Sequence, residues 1–171
     1  MAECKNIMVY VETAEGNPVK VGLEMLSPAK KLADKVTAVV IGDGVADAAK
    51  EVAKAGADQV ICVDSEDYKE FNLDAYAQVL VELVKEENPE AVFVGGTQDG
   101  KDIAPVVAAK CNTGCASDVL DIKAEDGEVI YTCPLYGGTV LEDVKIKTTP
   151  QIATLRSGAF QNCLLYTSPS P

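Results

Sequence analysis

The chain has 171 residues, a mass of 18.0 kDa and a formal net charge of −12, from 27 acidic and 15 basic residues. This length suits one domain with a hydrophobic core. The acidity excludes a general nucleic-acid-binding protein, which needs a basic surface to displace counterions from phosphates. Histidine is absent, which excludes histidine-based triads, general bases and metal ligands.

The first two thirds of the chain alternate apolar strands with amphipathic helices. The predicted strands are 6–11, 36–41, 60–63 and 91–94. The predicted helices cover residues around 25–33, 45–53, 73–84 and from 103 onward. Ser27-Pro28 either kinks the first helix or begins it, with Pro28 at the first helical position. This alternation predicts an α/β fold with an open, mostly parallel sheet flanked by helices.

From Ala116 onward the pattern changes to short strand-like segments. These segments are 119–122, 129–132, 139–146 and 152–155. Asp126-Gly127 and Gly137-Gly138 provide turns between them, which predicts antiparallel strands that extend the same sheet in the C-terminal third. Residues 161–171 have no periodicity. We therefore expect one domain over residues 1–160, followed by a disordered or non-native tail over 161–171.

The cysteines indicate a reducing environment. Six are present, but the first residues of the chain have no apolar segment of a secretory signal, which predicts free thiols and a cytoplasmic protein. Cys111 and Cys115 form one C-x3-C pair, which supplies two of the four ligands of a structural zinc, so no metal site is predicted. No apolar run reaches the roughly 20 residues of a membrane span, so no membrane insertion is expected.

The turn at residues 95–102 follows a strand and opens a helix, so its backbone N–H groups are placed to bind an anion. The candidate residues for such an anion turn are Gly96, Thr97, Gly100 and Lys101. The turn also satisfies G-x4-G-K, but Asp102 stands where a P-loop has the Ser or Thr that binds magnesium. Two other interpretations stay open: Thr97 or Asp99 caps the helix while the glycines form the turn, or the segment lines a nucleotide or pseudo-nucleotide pocket of another type.

A second glycine turn, Gly42-Asp43-Gly44, follows the second strand. In an open α/β sheet both turns lie at the carboxyl ends of strands, where ligands bind. Glu12 ends the first strand, and we expect it to be a solvated carboxylate rather than a catalytic one. The sequence has no evident carboxylate pair, nucleophile–base pair or metal cluster, so no catalytic residues are predicted.

Six segments, taken together, suggest a family. They are residues 6–12, 36–42, 55–60, 96–110, 134–138 and 150–160. In this order they resemble the N-terminal domain of the alpha subunit of electron-transfer flavoproteins, and the segment PQIATLRSGAF is the most specific of them. The resemblance covers residues 5 to 160 and implies an adenine-nucleotide-hydrolase-like fold that packs against the beta subunit of such a flavoprotein.

The resemblance also implies where the redox chemistry lies. In this family FAD is held mainly by a second alpha-subunit domain, which would follow residue 160, so we expect no FAD bound to this chain alone. The intact heterodimer would carry electrons between acyl-CoA dehydrogenase-type flavoenzymes and an acceptor. The chain itself is then expected to be part of an electron carrier and not an enzyme. The alternative is a stand-alone adenine-nucleotide-binding module without redox activity.

Overall fold

The computed structural model describes residues 4–160, so the expected tail over residues 161–171 lies outside the described residues. The strands are β1 (Cys4–Tyr10), β2 (Thr13–Ala14), β3 (Asn17–Pro18), β4 (Ala33–Gly42), β5 (Gln59–Asp64), β6 (Ala91–Gly95), β7 (Cys115–Val119), β8 (Asp121–Glu125), β9 (Glu128–Leu135), β10 (Val140–Val144) and β11 (Gln151–Leu155). The helices are α1 (Lys20–Leu32), α2 (Ala46–Lys54), α3 (Leu73–Glu87) and α4 (Gln98–Lys110).

A parallel six-stranded sheet runs through the centre in the order β5-β4-β1-β6-β11-β7. Its central strands are apolar because both of their faces are covered. In β1, Ile7 and Val9 pack into a core shared with α1 and α2, whereas Met8 and Tyr10 pack into a second core with α3 and α4. The predicted α/β fold with a mostly parallel sheet is therefore confirmed.

Side-chain capping marks the starts of α3 and α4, whereas α1 and α2 begin without a side-chain cap. The side chain of Asn72 accepts a hydrogen bond from the Ala75 N–H at the start of α3, and Asn88 ends that helix in the left-handed conformation. Helix α1 runs without interruption through Pro28. The alternative in which Pro28 begins the first helix is therefore wrong.

The antiparallel strands form a sheet of their own, in the order β10-β9-β8. Their prediction as an extension of the main sheet is wrong, and so is the antiparallel direction of the last strand. β11 lies parallel between β6 and β7. The physical reason is burial: Ile152 through Leu155 are all buried, as in the other central strands, whereas β8 and β10 are mostly exposed.

The second sheet covers one face of the main sheet through β9. Tyr131 of β9 is fully buried and meets Phe93 of β6 edge to face, with ring centroids 6.5 Å apart. Its hydroxyl donates a hydrogen bond to the Gln151 side chain at 2.9 Å. Such aromatic pairs stabilise a core beyond the area that they bury. The second sheet therefore takes the place of a helix over the β6–β11–β7 end of the main sheet.

Candidate functional site

A cavity of about 340 Å³ opens where β1 and β4 end. Its wall includes Gly42, the last residue of β4, Asp43 of the turn that follows, and Asp99 of the first turn of α4. The structure thus brings both predicted glycine turns to one place, at the edge of the sheet where open α/β folds bind ligands. The volume lies within the range of small-molecule sites.

Acidic and aromatic side chains dominate this cavity, which we call the carboxyl-edge cavity. Its charged residues are Glu12, Glu15, Asp43, Asp99 and Lys69. Its aromatic residues are Tyr10, Tyr68, Phe71 and Tyr76. Tyr76 joins the aromatic group together, because its ring meets those of Tyr68 and Phe71 edge to face at 5.6 and 5.1 Å. The Tyr76 hydroxyl also donates a hydrogen bond to the Tyr68 carbonyl at 2.7 Å.

Glu12 differs from the solvated carboxylate that was expected. Its side chain is half-buried, and its Oε1 accepts a hydrogen bond from the Thr97 hydroxyl at 2.5 Å. Burial raises the pKa of the Glu12 carboxyl; the Thr97 hydrogen bond opposes this shift and the Asp99 charge adds to it. The carboxylate is thus less solvated than expected, because β1 and β6 are neighbours in the sheet and their ends carry Glu12 and Thr97 towards each other.

The two buried tyrosines of the cavity keep their protons. Burial raises the pKa of Tyr10 far above its ordinary value, and the neighbouring charges of Glu12 and Asp99 add to the shift. Burial also raises the pKa of Tyr76, again with a contribution from Asp99. Both hydroxyls are therefore neutral at physiological pH and can donate or accept hydrogen bonds.

The four residues of the predicted anion turn have different surroundings. Thr97 caps α4: its hydroxyl accepts a hydrogen bond from the Gly100 N–H at 3.0 Å. Gly96 donates its N–H to the Leu155 carbonyl at 2.7 Å. Lys101 is exposed and is not part of the cavity wall. Capping by Thr97 is confirmed, whereas anion binding by this turn stays a prediction.

Gly100 has a steric role in this turn. A Cβ at Gly100 would lie 1.9 Å from the Gly95 carbonyl oxygen, and one at Gly96 would lie 2.9 Å from the Leu155 carbonyl oxygen. Neither position has room for a side chain, since backbone atoms are the obstacle. Close packing of backbone against backbone therefore accounts for these two glycines.

The cysteine pair has no metal-binding surroundings within residues 4–160. That segment holds no group of three or more His, Cys, Asp or Glu side chains that could bind a metal ion. Burial raises the thiol pKa values of Cys111 and Cys115, which disfavours the thiolate that binds metals.

No helix of the described chain has the length and apolar character needed to cross a membrane.

An apolar surface lies at the turn between β9 and β10, and we call it the apolar hairpin. It carries four of the five large hydrophobic side chains that are exposed within residues 4–160. These are Leu135, Tyr136, Val140 and Leu141, exposed by 37%, 84%, 46% and 59%. Val140 pairs with Leu135 across the two strands. Grouped exposed apolar residues mark interaction surfaces.

Comparisons with known proteins identify similar sequences. A family model described as "Electron transfer flavoprotein domain" matches residues 7–168. Protein FixB of Clostridium saccharobutylicum is 36% identical over 168 residues, which cover 94% of this chain and 50% of that protein. The electron transfer flavoprotein subunit alpha of Syntrophomonas wolfei is 38% identical over 150 residues, covering 88% of this chain and 47% of the relative. The acryloyl-CoA reductase electron transfer subunit beta of Anaerotignum propionicum is 31% identical, covering 92% and 51%. The chain thus spans about half the length of the curated relatives it matches.

Proposed function

Because this chain belongs to the electron transfer flavoprotein domain family, we propose that it is the partner-binding, N-terminal part of an electron-transfer flavoprotein alpha subunit. In this role it is a scaffold that docks onto the beta subunit. The intact heterodimer carries electrons through FAD, from flavoenzymes of the acyl-CoA dehydrogenase type to an acceptor. It works in the cytoplasm as an electron carrier and not as an enzyme.

The apolar hairpin is the observation that carries this proposal. Tyr136 and Leu141 expose most of their side-chain surface, on a small sheet that already packs against the core through β9. A rigid apolar surface on such a support loses little conformational entropy on binding. Burial of these side chains against the beta subunit supplies the affinity, because aromatic and large aliphatic residues dominate protein interfaces.

The carboxyl-edge cavity does not fit FAD. The pyrophosphate of FAD is anionic, whereas the carboxylates of the cavity outnumber the single Lys69 amine four to one. The N-terminus of α4, a usual phosphate site, already has its Gly100 N–H bonded to Thr97. We therefore propose that FAD is held by the part of the longer relatives that this chain does not span.

The test is a binding measurement with the beta subunit of the same organism. We expect the two proteins to form a complex in size-exclusion chromatography. We also expect isothermal titration calorimetry to show that the double variant Tyr136→Ser/Leu141→Ser raises the dissociation constant at least tenfold, which corresponds to about 1.4 kcal/mol of binding free energy. Phe71→Ser is the control, because Phe71 is the fifth exposed apolar residue and lies outside the apolar hairpin. Absence of a complex, or equal weakening in the control, contradicts the proposal.

A second candidate is a stand-alone adenine-nucleotide-binding module, which the position of the carboxyl-edge cavity favours and the acidity of its wall disfavours. Titration with AMP and ATP separates the two candidates. Saturable nucleotide binding without any affinity for the beta subunit supports the module. Stoichiometric flavin in the purified chain contradicts both candidates, since neither of them holds FAD within these residues.

A further inference from the structure

Tyr10 is a buried residue whose hydroxyl has no hydrogen-bond partner within residues 4–160. The residue is only 2% exposed, and its hydroxyl takes part in none of the hydrogen bonds within residues 4–160. In that part of the chain every side-chain oxygen or nitrogen that is sealed from solvent has a partner. The Tyr10 hydroxyl must therefore reach the carboxyl-edge cavity, whose wall includes this residue. The hydroxyl is therefore an unpaired hydrogen-bonding group on the cavity wall, available to a ligand that enters the cavity.

The charge of the cavity restricts what that ligand is. Glu12, Glu15, Asp43 and Asp99 face a single lysine amine, Lys69. Phosphates and carboxylates are repelled from such a site, and a cationic group is attracted, more strongly than in bulk water because the cavity is partly enclosed. A metal ion is disfavoured, because the described residues provide no cluster of three suitable ligands.

The remaining wall of the cavity is apolar and aromatic. Ile41 and Val45 are buried, and Phe71 and Tyr76 contribute rings. Aromatic rings near carboxylates are the surroundings in which proteins bind organic ammonium groups. A volume of about 340 Å³ leaves room for a small molecule with a short apolar body.

We propose that the carboxyl-edge cavity binds a small organic cation, an ammonium group on a short alkyl chain, whose N–H group donates a hydrogen bond to the Tyr10 hydroxyl. The rim carboxylates Glu15 and Asp43 attract the ligand, and the apolar wall holds its alkyl chain. This site is independent of docking through the apolar hairpin, so each proposal can fail without the other.

Three probes of equal chain length isolate the contribution of the charged group. They are n-pentylammonium, 1-pentanol and pentanoate, titrated into the ¹⁵N-labelled full chain at about 0.15 M salt, where general surface attraction is screened. We expect saturable amide shifts for Gly16, Gly42 and Asp43 with n-pentylammonium alone, with a dissociation constant on the order of 1 mM or tighter. AMP is the fourth ligand, and we expect it to bind at least tenfold more weakly.

Two variants locate the site and one variant controls for net charge. Tyr10→Phe removes only the hydroxyl, and we expect n-pentylammonium to bind about tenfold more weakly, the loss of one hydrogen bond to a charged group. Glu15→Gln/Asp43→Asn removes both rim charges and weakens binding by about tenfold. The control is Glu51→Gln/Glu86→Gln, which changes the net charge equally at exposed positions outside the cavity wall.

The outcomes decide the proposal in either direction. Weaker binding in Tyr10→Phe and in the rim variant, with binding in the control unchanged within about twofold, supports it. Equal weakening in the rim variant and the control means general attraction to an acidic protein and overturns it. Unsaturable n-pentylammonium shifts, or tighter binding of AMP or pentanoate, overturn it as well. Thermal unfolding of each variant without ligand verifies that the fold is intact.

Discussion

Replacing Thr97 by alanine removes one hydroxyl that makes two hydrogen bonds. The hydroxyl accepts from the Gly100 N–H at 3.0 Å and donates to Glu12 Oε1 at 2.5 Å. Loss of an N-cap costs about 1 kcal/mol, and loss of a hydrogen bond to a charged group costs about 1.5–3 kcal/mol. Since water reaches the half-buried Glu12, the lower part of that range applies. We expect a total loss of about 2–3 kcal/mol in the free energy of unfolding.

Urea unfolding followed by far-UV circular dichroism measures this loss. A loss of this size lowers the melting temperature by roughly 4–12 °C in a chain of this length. Thr97→Ser is the matched control, because serine keeps the hydroxyl and is at least as good an N-cap as threonine. We expect the serine variant to lie within about 1 kcal/mol of the wild type. An alanine variant within about 0.5 kcal/mol of the serine variant refutes the reasoning.

The same pair of variants has a characteristic pH dependence. Burial raises the folded-state pKa of Glu12, and the Thr97 hydrogen bond opposes that rise. Without the hydroxyl the folded-state pKa rises further, and stability present below the unfolded pKa is lost as the pH rises through the folded pKa. The deficit of Thr97→Ala relative to Thr97→Ser should therefore grow as the pH rises above the ordinary range of a glutamate carboxyl. A deficit independent of pH would show that only the cap contributes.

Two other sites give predictions of their own. Gly100→Ala should abolish folding or lower the free energy of unfolding by more than about 3 kcal/mol, because its Cβ would lie 1.9 Å from the Gly95 carbonyl oxygen. Gly44 has a φ of +68° but open space around it, so Gly44→Ala should lower the free energy of unfolding by only about 1 kcal/mol. Equal losses in the two variants, measured by urea unfolding, would contradict this. Two lysine amines lower the pKa of Glu128 to about 2, so the stability that this carboxylate contributes is present above its unfolded pKa and is lost as the pH falls towards about 2. The melting temperature of Glu128→Gln should therefore lie below that of the wild type near neutral pH. This difference in melting temperature should vanish in acid and shrink at about 1 M salt. A difference that survives both conditions would contradict its origin in the ion pairs of Glu128.

The parallel sheet could be predicted because its signal is local. A strand buried on both faces is apolar at consecutive positions, and residues 36–41 and 91–94 have this pattern and lie in β4 and β6. Two helix starts were also marked by a capping residue, Asn72 before α3 and Thr97 before α4, although apolar periodicity alone placed the beginning of α4 at residue 103. Burial on both faces and capping act within a few residues, so one segment contains the whole signal.

The strand order was not readable in the same way. Residues 152–155 are as apolar as the central strands, and this feature alone favoured a position inside the main sheet. The preceding turns at residues 126–127 and 137–138 indicated antiparallel hairpins instead, and they are indeed hairpin turns, but of a separate sheet. Whether a segment joins the main sheet or a separate antiparallel sheet depends on which strand fills the position between β6 and β7, and tertiary packing decides that.

Glu12 illustrates the same limit for the candidate site. Its partner Thr97 lies 85 residues further along the chain, so no local pattern distinguishes this carboxylate from a solvated one. Adjacency of β1 and β6 would have been the informative signal, because the ends of neighbouring parallel strands meet at one edge.

The glycine motif of the turn after β6 resembles a phosphate-binding loop because two different functions require the same backbone. A phosphate site needs glycines so that N–H groups can approach the anion closely. Here Gly100 is needed so that α4 can approach the Gly95 carbonyl, and Gly96 so that the turn can approach β11. With Thr97 bonded to the Gly100 N–H and Glu12 beside it, the N-terminus of α4 already has its acceptor and its negative charge. Close packing together with internal capping therefore accounts for Gly96 and Gly100 without a bound phosphate.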